Sequence, residues 1–177
     1  MKNSPAIHFL AILLTCMTPP NSSDAQESPD SNPTFAGVRI IEYYGYKNCI
    51  ELQNKTTRVV LCPASGGRVL EYSIDGKNVL YLPPGTEGWK QTADSKRGKM
   101  HAGRFDIGPE KMVKRGRILW QGELTTDRSA RLTSEYDQES GVRLTRDFQL
   151  DENSTRLICT QTIANEKSEI ATAVPGK

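Results

Sequence analysis

Arg68-Val69-Leu70-Glu71-Tyr72-Ser73-Ile74-Asp75-Gly76-Lys77-Asn78-Val79-Leu80 reads as a strand, a tight turn and a second strand. The apolar residues recur at the short period of extended chain, and glycine after aspartate accepts the positive φ of a two-residue hairpin turn. Working outward, the same period predicts strands at 38–44, 48–53, 57–62, 68–74 and 78–82. A second set is predicted at 118–125, 130–136, 142–150 and 155–164. Glu139-Ser140-Gly141 and Asp151-Glu152-Asn153 are turn signals between members of the second set. Its four strands are therefore expected to form a meander with short connections. One helical turn or two could start at Pro109, after Gly108, where proline suits a first helical position. The expected fold class is all-β and antiparallel.

The chain has 177 residues, with 36% apolar and 25% charged side chains, which fits one globular domain. Its formal charge of +2 points to neither nucleic acid nor membrane as a general partner. Residues 1–25 read as a signal peptide. Lys2 precedes an apolar run from Ala6 to Met17 that is too short to span a bilayer, and Ser23-Asp24-Ala25 offers small residues for cleavage after Ala25. A secreted or periplasmic location follows. Leu13-Leu14-Thr15-Cys16 is the competing lipoprotein reading, which Thr15 fits poorly. Residues 26–36 are rich in Ser, Pro, Asp and Asn and read as a disordered lead-in. The domain is expected over 37–165, with an irregular tail over 166–177.

A two-residue turn between Asn54 and Thr57 would set Cys49 opposite Cys62 at a non-hydrogen-bonded pair, where Cα atoms come closest. A disulfide there and two packed free thiols are both open readings, and Cys159 is left over as a small core residue. Most catalytic signatures are absent: no phosphate-binding glycine loop, no Cys-x-x-Cys, no His-Glu-x-x-His, no nucleophile elbow. After the leader the chain has a single histidine, His101, so no zinc ligand set is expected, and no cofactor.

Residues 90–117 form a long connection holding nine Lys or Arg against three acids. Such a connection is uncommon unless it has a function. It could be a rim for acidic or sulfated sugars, or a solvated loop with its charges outward. Within it, Gly103 and Gly108 flank Arg104-Phe105-Asp106-Ile107. Alternation would turn Phe105 and Ile107 inward and leave Arg104 and Asp106 facing a cleft or each other. A guanidinium beside a carboxylate suits neighbouring sugar hydroxyls, which both donate and accept hydrogen bonds. The candidate ligand residues are Arg104 and Asp106, then His101 and Glu110, with Trp89 as a stacking surface. Trp120 also flanks the segment, and a structural corner is the other reading.

Gly66 to Leu80 (GGRVLEYSIDGKNVL) resembles the early hairpin of the galactose mutarotase-like superfamily, with the strands at 48–53 and 57–62 before it. Residues 129–165 are similar to the meander of those domains. The segment Gly-Arg-Phe-Asp-Ile-Gly-Pro-Glu resembles that of uncharacterised exported bacterial members. The resemblance spans about Val38 to Asn165. It implies a β-supersandwich of two packed antiparallel sheets with a sugar cleft, here as its N-terminal portion. Enzymes of this type use a glutamate base and a histidine acid to open and reclose a sugar ring, with an arginine to which Arg104 is the loose match. No histidine lies between Phe105 and Lys177, and the glutamate base falls later in a longer chain. The resemblance therefore implies carbohydrate binding, to a sugar or polysaccharide, without a complete epimerase site, and uncovered sheet edges open to self-association. The alternatives are an exported β-sandwich with a structural or interaction role, and an epimerase whose catalytic half is missing.

Overall fold

A computed structural model describes residues 34–90, 103–105, 118–138 and 140–166, and over them the alternating pattern resolves into two antiparallel sheets. The first contains β1 (Val38–Tyr43), β2 (Tyr46–Gln53), β3 (Thr57–Cys62), β4 (Arg68–Ile74) and β5 (Lys77–Asn78), in that order across the sheet. The second contains β6 (Trp120–Thr126), β7 (Ser129–Ser134), β8 (Val142–Leu150) and β9 (Leu157–Asn165), the expected meander. No α-helix occurs among the described residues. The described chain lies within one compact unit, Pro33–Lys177.

The turns follow from residue chemistry. Tyr44 and Gly45 both have positive φ between β1 and β2, as do Asp75 and Gly76 between β4 and β5. Two consecutive positive φ values match the right-handed twist of the strands they join. Between β2 and β3, Asn54 N donates to Thr57 O, and the Asn54 side-chain oxygen accepts from the backbone N–H of Thr56 and Thr57. That side chain replaces a backbone partner, a habit of asparagine in turns.

Strand β5 departs from expectation: pairing stops at Asn78 instead of running to Leu82. The Asn78 side chain is the reason. Its oxygen accepts from Tyr72 N and Leu80 N, and its nitrogen donates to Leu70 O. Local side-chain bonds of this kind displace the ladder. A second departure is a 3₁₀ turn at Pro63–Ser65, closed by Gly66 at φ 78°. The helical start expected at Pro109 lies outside the described residues, as do the expected signal peptide, most of the expected lead-in and most of the expected tail.

Strand parity sorts the core into two clusters. Ile50, Leu52, Val59, Leu61 and Val69 of the first sheet meet Ala130, Leu132, Leu144, Phe148 and Leu150 of the second, forming the layer between the sheets. Each fully buried side chain of this size stabilises by about 1.5–3 kcal/mol. The opposite face of the first sheet carries Tyr46, Cys49, Val60, Cys62 and Leu70. Leu70 reaches that face because β4 has a bulge: Val60 pairs with Glu71 but Leu61 with Val69.

A loop covers part of this outer face. Gly88 N donates to Tyr44 O, and the hydroxyls of Tyr44 and Tyr46 donate to Pro83 O and Trp89 O. A Cβ on Gly45 would lie 2.7 Å from Gly88 N, so the turn and the loop touch backbone to backbone.

Candidate functional site

Where the two sheets part along one side, a groove of about 580 Å³ opens between β1–β2 and β6. Its floor is apolar: buried Ile50, Pro63 and Trp120, joined by exposed Ile40 and Leu119. Its rim is polar and exposed, made by Lys47, Asn48, Gln121 and Glu135. Asn48 is held at φ 56°, a conformation that asparagine tolerates better than most residues. Gly122 sets the depth of the groove, because a Cβ there would meet Ile50 at 2.8 Å and Pro63 at 3.0 Å. Apolar surface overlain by a few amide and charged groups is a composition shared with small-ligand pockets.

Behind the floor lies a buried arginine. Arg146 is 3% exposed and stacks over the Trp120 ring at 4.2 Å and the Phe105 ring at 5.0 Å. Its guanidinium donates to Gly67 O, to Phe105 O at 3.3 Å and to Gln161 Oε1 at 2.9 Å. It thus ties the Gly66–Gly67 turn, residues 103–105 and β9 to one side chain. Gly67 has to be glycine for this to work: a Cβ would lie 2.7 Å from the Trp120 ring and 2.9 Å from the guanidinium.

A charged network sits on the outer face of the first sheet. Glu51, 2% exposed, accepts from Arg39 and Arg58 at 2.6 Å each. Arg58 also donates to Glu71, whose other oxygen accepts from Ser73. Burial pushes the Glu51 carboxyl up, but the hydrogen bonds from Arg39 and Arg58 outweigh it and hold the group below its ordinary value. Burial, then the hydrogen bond to Glu71, raises the Tyr43 phenol to about 12. Nearby, the Cys49 S–H donates to Tyr46 O at 3.8 Å, and Cys49 and Cys62 lie close enough to influence each other's ionisation. The Cys62 S–H favours a thiolate at Cys49, and the same contact disfavours ionising Cys62.

Of the ligand residues expected from sequence, Arg104 and Trp89 are described, while His101, Asp106 and Glu110 lie outside the described residues. Phe105 turns inward and meets Phe148 edge to face at 5.7 Å, and Arg104 is exposed, as alternation requires. Gly103 O accepts from Val69 N, which fixes the segment on β4. Trp89 is half-buried and attached through its backbone to Tyr46 and Thr86, beside the outer cluster. Phe105, next to Arg104, packs against the inter-sheet cluster instead. The groove residues Lys47, Asn48, Gln121 and Glu135 were not expected, since nothing in their spacing marks them. Arg146 did carry a signal: it shares parity with Leu144, Phe148 and Leu150 on β8.

Gly103 provides a test of how firmly the segment is held. Its φ is +73°, and a Cβ would lie 1.7 Å from Val69 O. Gly103→Ala is expected to cost about 2 kcal/mol of stability, read as a lower urea midpoint at unchanged slope. An unchanged midpoint would mean that residues 103–105 do not pack on β4.

The fold and the groove together define an antiparallel β-sandwich with an open inter-sheet cleft. Comparison with models of protein families, with curated proteins and with solved structures finds no match.

Proposed function

We propose that this chain is an exported carbohydrate-binding domain of the galactose mutarotase-like type, without a complete epimerase site of its own. The observation that carries the reading is the inter-sheet groove: an apolar floor under two amide side chains, Asn48 and Gln121, with Lys47 and Glu135 beside them. Amides donate and accept at once, as sugar hydroxyls demand, and the apolar floor suits a pyranose face. Its volume of about 580 Å³ matches a short saccharide rather than a long buried ligand. The lone His101 after the leader leaves no second histidine for a mutarotase-type acid and its helper. Cleavage after Ala25 and a secreted or periplasmic destination belong to the same proposal. So does self-association along β9, an edge strand with Ile158 and Ile163 about half exposed (44% and 50%).

A glycan array followed by calorimetric titration of the best glycan tests the proposal. Asn48→Gly, which keeps the backbone conformation, and Gln121→Ala are each expected to weaken binding about three- to tenfold by removing one hydrogen-bonding group. Arg104→Ala is expected to weaken binding of anionic glycans alone, in a salt-dependent manner. No glycan above background on the array would overturn the reading. Loss on Arg104→Ala with both groove variants silent would move the sugar to the segment around Arg104. Polarimetry of fresh α-glucose and α-galactose is expected to show no acceleration over buffer.

A further inference from the structure

We propose that Cys49 and Cys62 are a cross-strand disulfide site, oxidised by thiol–disulfide exchange. Strands β2 and β3 pair as Leu52 with Val59, Glu51 with Val60 and Ile50 with Leu61; the same register continued by one step would set Cys49 against Cys62. Directly opposed residues of antiparallel strands have Cα atoms about 4.5–5.5 Å apart, within the range that a disulfide spans. Both side chains point to the outer face, both are fully buried, and both belong to the same small cluster. Each thiol shifts the ionisation of the other, as side chains that neighbour one another on one face do. In the structure they are free thiols, as is Cys159 on β9.

The reaction joins the two Sγ atoms, releases two protons and passes two electrons to a small-molecule disulfide, which becomes two thiols. It runs through a mixed disulfide: one thiolate attacks the oxidant, and the second cysteine displaces the reduced half. With both side chains shielded, the oxidant reaches them when the β2–β3 hairpin is open. Refolding in the presence of oxidant should therefore link them far faster than incubation of the folded protein.

The full chain is refolded from urea in reduced and oxidised glutathione, trapped with iodoacetamide, digested with trypsin and read by mass spectrometry. The expected result is peptide 48–55 joined to peptide 59–68 in most molecules, with Cys16 and Cys159 alkylated. Cys159→Ala should leave the link intact. Cys62→Ala should abolish it, with Cys49 then trapped singly, and circular dichroism identifies any variant that fails to fold. The wild-type link should also raise the urea midpoint, and dithiothreitol should reverse that rise. Separate alkylation of Cys49 and Cys62 in refolded protein with native circular dichroism would overturn the proposal. So would mixed pairing with Cys159.

Discussion

Arg58→Met is expected to destabilise the domain by about 3 kcal/mol, the low end of the range for breaking a buried ion pair by removing one partner, because Arg58 itself is 31% exposed. The size follows from what is left behind. Glu51 and Glu71 are 2% and 7% exposed, and Arg58 is the side chain that reaches both. Without it, Glu51 retains Arg39, a largely solvent-exposed partner, and Glu71 retains Ser73 and Tyr43. Hydroxyl groups cannot neutralise a buried carboxylate. The substitution should also change the pH profile. The Glu51 carboxyl is depressed in the fold, so its contribution is present above the unfolded value of about 4.3 and disappears as pH falls through the lower folded value. Wild type should hold its melting temperature from neutral pH down to about pH 4 and lose it below. In Arg58→Met the decline should begin at higher pH, since Glu51 then loses one of the two guanidinium groups that hold its carboxyl low. Melting curves that superimpose across pH 3–7 would refute the network's role.

Arg146→Ala is the second large effect, at about 3–4 kcal/mol. Two terms add. The side chain fills the space between Trp120 and Phe105, and truncation opens a cavity between the sheets. Truncation also leaves Gly67 O and Phe105 O without the guanidinium they accept from. Arg146→Met separates the terms, because it restores most of the stem packing and none of the hydrogen bonds. Urea midpoints ordered wild type, then Met, then Ala are expected. If Met equalled wild type, the hydrogen bonds would contribute nothing net; if Met equalled Ala, packing would contribute nothing.

Most strands were legible from alternation and turn residues, because both are local. The β3, β4 and β8 spans agree residue for residue with the reading from sequence. What misled was also local but chemical: Asn78 uses its side chain to cap what looked like a longer strand. The bulge at Leu70 was not legible, since two adjacent apolar residues are equally compatible with a regular strand. The groove was not legible either. It depends on how β6 crosses β2 and the Pro63 turn, a relation between residues about seventy apart that no pattern within a strand encodes. The parity of the Arg104 segment was readable, and its anchoring to β4 through Gly103 O was not.

The indole of Trp120 rests directly beneath a guanidinium whose acceptors come from chain positions near 67, 105 and 161. Those positions converge only when both layers are assembled. The chain thereby contains an intrinsic optical gauge: emission from that ring reports closure of the whole architecture, not formation of any one hairpin.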